Sequence, residues 1–268
     1  MAYSSELETA IRAARAAGEI IAGYYARGPV PVDIKADASP VTQADRDADT
    51  AIAAVLRAAF PEDAILSEES PDDDARLARS RVWIVDPLDG TRDFVRRTDD
   101  FAVHVALAVD GVPVLGAVYL PVTSTLYSAA TGGGAWREAS CGRERIHVSA
   151  TAELAAVRIG ISRHFLSEQL RACLDTAHIT SRFPVGASVK HMRLAGGDLD
   201  AAINLSSHEM EWDTCAPEIV IREAGGAYTD GDGRAFRYNQ RDIEHHRGSV
   251  ASNGACHADL IALVAPYL

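Results

Sequence analysis

Arg81-Val-Trp-Ile-Val85 runs without a break into Asp86-Pro87-Leu88-Asp89-Gly90-Thr91. The four apolar, β-favouring residues Val82 to Val85 predict a buried strand. That strand ends in two carboxylates separated by two residues. Uncompensated, such a pair raises one pKa or destabilises the fold. A divalent cation removes the conflict, and carboxylates beside a backbone carbonyl form a hard, oxygen-rich site suited to Mg²⁺. Gly90-Thr91 can present amide N–H groups at a helix start, where a phosphate would sit. The plainer alternative is a simple Asp-rich turn.

Upstream, Ala64-Ile-Leu66 reads as a short strand entering Ser67-Glu68-Glu69-Ser70, followed by the acidic loop Asp72-Asp73-Asp74. Apolar positions Leu7, Ile11, Ala14, Ile20, Ile21, Tyr24 and Tyr25 predict an amphipathic helix over Glu6 to Arg27, stopped by Gly28-Pro29. A polar, turn-rich stretch through Lys35-Ala-Asp-Ala-Ser-Pro40 comes next. Thr42 then precedes Asp45 by three, the spacing of a capping box. The helix it opens points Ile52, Val55, Leu56 and Ala59 inward and ends before Pro61.

Downstream, Phe101 to Tyr127 is β-rich, with a hairpin turn at Asp110-Gly111. Gly132-Gly133-Gly134 reads as another turn, because no Lys-Ser/Thr follows it as in a phosphate loop. The second half predicts strands at Val157–Ile161, Leu199–Leu205 and Ser249–Ser252. Helices are predicted over Glu168–Ala177, Ser188–Ala195 and Thr214–Glu223, the last closed by Gly225-Gly226, with a final helix at the end. No repeat or low-complexity linker interrupts the chain. A division near residue 150, into 1–150 and 151–268, is expected between subdomains rather than independent domains.

Three other carboxylate positions join Asp86 and Asp89 as candidates. Glu68-Glu69 closes a strand, Asp213 follows Trp212 at a loop-to-helix transition, and Asp45 lies in a first helical turn. Taken singly, Glu68-Glu69 reads equally as a solvated acidic face, and Asp213 and Asp45 as helix caps.

The bulk composition narrows the function. The 268 residues are 47% hydrophobic and carry a formal net charge of −12, enough for a substantial core. No basic stripe supports nucleic-acid binding, and an acidic protein handling an acidic substrate needs cations at its site. Cys141, Cys173, Cys215 and Cys256 form no Cys-x-x-Cys pair and read as reduced, mostly buried thiols. With no signal-peptide pattern and no run of eighteen apolar residues, a soluble cytoplasmic protein without a membrane partner is expected.

In order, Glu68-Glu69, Trp83-Ile-Val-Asp86-Pro-Leu-Asp89-Gly-Thr91, Trp212-Asp213 and Glu223-Ala-Gly-Gly226 resemble the signatures of the inositol monophosphatase superfamily of lithium-sensitive, Mg²⁺-dependent phosphatases, over nearly the whole chain. The resemblance implies an α+β fold, a layered α-β-α-β-α sandwich, often homodimeric. It implies that Glu68, Asp86, Asp89, Asp213 and the carbonyl of Leu88 hold two or three Mg²⁺ ions. Thr91 and Asp45, with Glu68, would prepare the attacking water, and Gly90 and Thr91 would cradle the phosphate.

Finer features, Thr91-Arg92-Asp93-Phe94, Phe101-Ala-Val-His-Val-Ala106, Val185-Gly-Ala-Ser188-Val-Lys190, Glu211-Trp212-Asp213 and Arg237-Tyr238-Asn239-Gln240, are similar to the 3′(2′),5′-bisphosphate nucleotidase branch of CysQ type. Its substrate would be 3′-phosphoadenosine 5′-phosphate, with a place in sulfate assimilation. A bisphosphorylated nucleotide needs a second, non-metal anion site, for which Arg92, Ser188 and Lys190 are candidates; a pair of surface charges is the alternative for Arg92 and Lys190. Near the position where inositol-specific members carry an acid stands Asn204, with Glu209 close by. Inositol 1-phosphate, or a broad range of sugar phosphates including fructose 1,6-bisphosphate, is the second reading, and a non-catalytic nucleotide-binding regulator a third. His104 is expected to pack within a strand rather than touch substrate, and Trp136 and Trp212 to lie in the core, with flanking a base as the alternative for either.

Overall fold

The structure, a computed structural model, describes residues 3–35, 39–164, 166–206 and 208–268. Helices are α1 (Ser4–Arg27), α2 (Gln43–Ala59), α3 (Thr91–Arg96), α4 (Glu168–Thr176), α5 (Val189–Ala195), α6 (Glu211–Glu223) and α7 (His257–Val264). A small hairpin pairs β1 (Val32–Ile34) with β2 (Pro40–Thr42). The large sheet takes β3 (Ala64–Ser67), β4 (Arg81–Asp89), β5 (Ala102–Val109), β6 (Val112–Leu120), β7 (Thr125–Ala130), β8 (Ala135–Ala139) and β9 (Gly142–Ile146), in that spatial order. Only its β3–β4 pair is parallel. The smaller sheet joins β10 (Ile159–Ile161), β11 (Arg182–Pro184), β12 (Ala201–Asn204), β13 (Ala227–Asp230) and β14 (Ser249–Ser252) in the order β11-β10-β12-β14-β13.

Three apolar clusters define the layers. Along β4, Val82 and Ile84 face one cluster while Trp83 and Val85 face another, the period-2 alternation of a strand buried on both sides. Burying each such side chain contributes about 1.5–3 kcal/mol. The Trp83 side joins α1 and α2. The Ile84 side joins α5 and α6, which also pack against Ala202, Tyr228 and Ala251 of the smaller sheet. The far face of that sheet is covered by α4 and α7 through Leu170, Leu174, Leu260 and Val264. The result is the expected α-β-α-β-α sandwich.

Several details differ from expectation. The face of α1 that packs inward is small, with Ala10, Ala13, Ala14 and Ala17 buried, while Ile20 and Tyr24 lie partly exposed. Alanine lets a helix axis approach a sheet closely. The expected stripe is therefore right at Leu7, Ile11, Ala14, Ile21, Tyr24 and Tyr25, which all join the cluster on the Trp83 side, but its most buried line is the alanines between them, and Ile20 lies outside it. Ala59 is exposed at the end of α2. Helix α6 starts at Glu211 rather than Thr214, which puts Trp212 and Asp213 inside its first turn. Trp136 is only half-buried and stacks under the Arg143 guanidinium instead of entering the core. Strands β1, β2, β8, β9, β11 and β13 have no counterpart in the expectations from sequence; each is three to five residues long and depends on its neighbours for pairing.

Gly116 on β6 sets how near α6 can come. A Cβ there would lie 2.9 Å from Ala216 O and 3.0 Å from Ala216 Cα. This close seat brings the first turn of α6 to the end of β4.

Candidate active site

The register of β4 against β5 explains why Asp86 and Asp89 act together. Asp86 pairs with His104 and Asp89 with Ala102, so three steps on β4 span two on β5. One extra residue is a β-bulge. Pro87, which has no N–H to give to a ladder, falls inside it. In a regular strand, residues three apart face opposite sides; the bulge turns both carboxylates to one side. Leu88 N–H donates to Asp86 Oδ1 at 3.0 Å and fixes that carboxyl within the bulge.

Asp213 arrives from α6. Met210 N–H donates to Asp213 Oδ2 at 2.7 Å, so the residue caps its own helix while facing Asp86 and Asp89. Cap and cluster are therefore not alternatives. One oxygen from each of Asp86, Asp89 and Asp213 lies within 4.8 Å of the others. Asp86 is buried, and burial, then the charges of Glu68, Asp89 and Asp213, push its carboxyl well above the usual range. Burial and Asp89 do the same to Asp213. Burial alone would also raise Asp89, but His104, Lys190 and Ser188 outweigh it and hold that carboxyl low. Ser188 N–H donates to Asp89 Oδ2 at 2.6 Å.

Glu68 stands beside this trio, near enough that its charge helps to raise Asp86; burial raises Glu68 itself, and the Lys35 ammonium holds it back. Its Oε1 accepts from Lys35 Nζ at 2.7 Å, and the same ammonium reaches Glu69 Oε1 at 2.5 Å. Burial would lower the Lys35 pKa, but Glu68 and Glu69 raise it above the ordinary lysine value. The donor set fits a hard divalent cation: three carboxylates converge from β4 and α6, Glu68 stands next to them just past the end of β3, and burial with mutual repulsion raises Asp86 and Asp213 where no positive charge offsets it.

Asp45 mirrors Asp213. Its Oδ2 accepts Thr42 N–H at 2.8 Å and Thr42 Oγ1 at 2.6 Å, completing the expected capping box. Its Oδ1 accepts Thr91 Oγ1 at 2.9 Å. The Leu88 carbonyl lies 3.2 Å from the same hydroxyl. Gly90 joins Asp89 to Thr91 at φ +90°, where an added Cβ would press on Ala187 Cβ at 2.8 Å and Asp100 O at 3.0 Å. Burial raises Asp45, and the bonds from Thr42 and Thr91 hold it back.

The anion-site candidates separate. Lys190, one residue into α5, lines a cavity of about 460 Å³ with Ser162, Ser167, Asn204, Ser206 and Tyr267. Its Nζ donates to Ala187 O at 2.8 Å. Ser188 is buried and spends its amide on Asp89. Arg92 is exposed on α3 and does not line that cavity. Glu223 of the last signature lies away from the acids; its two oxygens accept Gly132 N–H at 2.9 Å and Gly134 N–H at 2.8 Å, clamping the glycine turn.

Two residues at the site escaped the sequence reading. Lys35 sits in a polar stretch with no periodic signal, so only the tertiary structure links it to Glu68. His104 packs within β5 as expected and is fully buried, yet its Nε2 stands 3.3 Å from Asp89 Oδ2, off the line of a hydrogen bond. Its Nδ1 donates to Trp212 O at 3.1 Å. A histidine inside an otherwise apolar strand, opposite a carboxylate, was the available signal.

Known proteins share this chain's sequence pattern and fold. A model of the inositol monophosphatase family matches residues 3–267. The 3′(2′),5′-bisphosphate nucleotidase CysQ of Escherichia coli (strain K12) is 37% identical over 240 residues, 88% of this chain and 95% of that protein. The histidinol-phosphatase of Chlorobaculum parvum is 32% identical over 263 residues, covering 97% and 96%. The crystal structure of CysQ from Bacteroides thetaiotaomicron superposes with a TM-score of 0.80 at 31% identity, covering 94% of this chain and 98% of that one. With its converging carboxylates and these relatives, the chain belongs to the inositol monophosphatase family and is a phosphatase.

Proposed function

We propose that the protein is a Mg²⁺-dependent 3′(2′),5′-bisphosphate nucleotidase that converts 3′-phosphoadenosine 5′-phosphate to AMP and phosphate. The observation that carries this reading is Lys190. It contributes a cation to the lining of a cavity of about 460 Å³ while remaining near enough to Asp89 to lower its pKa. One phosphate then meets the carboxylate cluster and the other meets an ammonium. The 37% identity to a bisphosphate nucleotidase supports the same substrate.

Asp86, Asp89, Asp213, the Leu88 carbonyl and, once released from Lys35, Glu68 would hold the ions. Bound Mg²⁺ supplies Lewis acidity, activation of water and neutralisation of phosphate charge. The protein's own share is proton handling and placement. Thr91 directs its hydroxyl proton to Asp45 Oδ1, so its lone pairs are open to accept a proton from the attacking water. Asp45 then takes the Thr91 proton, a role suited to its raised pKa. The Gly90-Thr91 backbone cradles the reacting phosphate. Ser188 orients Asp89 through its amide, and Arg92 meets solvent-borne anions on approach. Residues 1–150 and 151–268 act as two subdomains meeting at the site, and two chains associate as a homodimer.

A panel of 3′-phosphoadenosine 5′-phosphate, inositol 1-phosphate, fructose 1,6-bisphosphate and histidinol phosphate, assayed for phosphate release with Mg²⁺, tests the reading. The histidinol-phosphatase relative makes the last substrate the strongest competitor. A hundredfold preference, roughly 3 kcal/mol, for any monophosphate would overturn the nucleotide assignment. Asp86→Ala should abolish turnover without unfolding the chain.

A further inference from the structure

Asp49 follows Asp45 by one helical turn on α2 and lies on the same face. It is 8% exposed, and a carboxylate so far out of water needs hydrogen bonds to both oxygens. Both are taken by hydroxyls. Ser67 Oγ donates to Oδ1 at 2.5 Å, and Ser70 Oγ donates to Oδ2 at 2.6 Å. These two serines bracket Glu68-Glu69.

Among the described residues, the backbone of that stretch is held by few other hydrogen bonds. Strand β3 ends at Ser67, and the last ladder bond is Glu68 N–H to Val85 O at 3.2 Å. From outside, Lys35 pulls on both glutamates. From beneath, Asp49 pins the residue on either side of them. We infer that Asp49 is a positioning residue: it clamps Ser67 and Ser70 so that the Glu68 carboxylate is presented to Asp86. A single rigid helix then keys both halves of the site, Asp45 to Thr91 and Asp49 to the Glu68 segment. This rests on the reading of Glu68 as a metal ligand.

The test is Mn²⁺ binding to the full chain by isothermal titration calorimetry, without substrate. Asp49→Ala should weaken binding by about tenfold or more, the usual effect of losing a group that orients a ligand. The activation constant for Mg²⁺ should rise by a similar factor while the substrate KM holds. Asp49→Asn should restore most of the affinity, because its carbonyl accepts from one serine and its amide donates to the other. The double variant S67A/S70A should reproduce Asp49→Ala, and adding Asp49→Ala to it should weaken binding little further.

Mn²⁺ affinity within about twofold of the parent in both Asp49→Ala and S67A/S70A would overturn the clamp, whatever happens to the melting temperature. If Asp49→Ala does not fold, S67A/S70A, which removes only two hydroxyls, decides by the same criterion. A parent protein that binds neither Mn²⁺ nor Mg²⁺ would instead overturn the metal reading, and the clamp's function with it.

Discussion

Replacing Thr91 by valine keeps the side-chain shape and removes one hydroxyl. Thr91 and Asp45 are 8% and 1% exposed. Asp45 Oδ2 is already committed to two donors from Thr42, so Thr91 is the donor that serves Oδ1. Leaving that buried oxygen without a donor costs roughly 1.5–3 kcal/mol of stability, equivalent to about 3–12 °C in Tm at this chain length. The kinetic loss is larger. Removing a positioned proton-transfer group lowers kcat about 10²–10⁴-fold, or about 3–5 kcal/mol at 1.36 kcal/mol per decade.

The pH profile should move in a defined direction. Burial raises the Asp45 pKa and the Thr91 bond is one of the forces lowering it, so its loss raises that pKa further. The acidic limb of kcat against pH then shifts upward in Thr91→Val. Thr91→Ser keeps the hydroxyl and should keep the limb in place. The assay is phosphate release at saturating Mg²⁺ and substrate from pH 5 to 9, beside thermal melts. A Thr91→Val enzyme with kcat within about fivefold of the parent, and an unmoved limb, would refute the Thr91–Asp45 relay.

Lys190→Met should raise KM for 3′-phosphoadenosine 5′-phosphate about tenfold or more, the worth of a charge-assisted bond, and leave KM for 3′-AMP little changed; equal effects on both would count against the second anion site. Gly90→Ala forces an L side chain into φ +90° against Ala187 and the Asp100 carbonyl, so stability should fall by at least about 1–2 kcal/mol, with activity lost as the Ser188–Asp89 contact shifts; an unchanged Tm would contradict the close approach. Glu211 is raised by burial to about 7, against an ordinary value of 4.5, despite accepting Asn239 and Gln240 amides. Folding therefore favours its protonated form, and stability falls as pH rises from 4.5 to 7, by about 3 kcal/mol, then levels off. Glu211→Gln should shrink the Tm difference between pH 5 and pH 8 by several degrees in differential scanning calorimetry, and a difference as large as the parent's would disprove the assignment.

What could be read from the chain alone followed local rules. The Val82–Val85 run, the Thr42–Asp45 box and the Asp110-Gly111 turn depend on neighbours within a few residues. Their elements fall close to where expected. Asp86 and Asp89 were legible as ligand candidates because paired acids after an apolar strand are costly without a reason; Asp213, an ordinary helix cap by itself, gained its ligand reading only from the family resemblance. Long-range relations were not legible in the same way. Only the bulge in β4, measured against β5, turns Asp86 and Asp89 to one side. Only the close seat of α6 on Gly116 brings Asp213 to them. Lys35 and the Asp49 clamp carry no signal at short spacing, and His104 carries only that of a polar residue in an apolar run, since each gains its meaning from a partner on another element. Periodicity reports which face of an element is apolar; it does not report which element that face will meet. That depends on the packing of whole layers, and there the tertiary structure decided where the charges of this site converge.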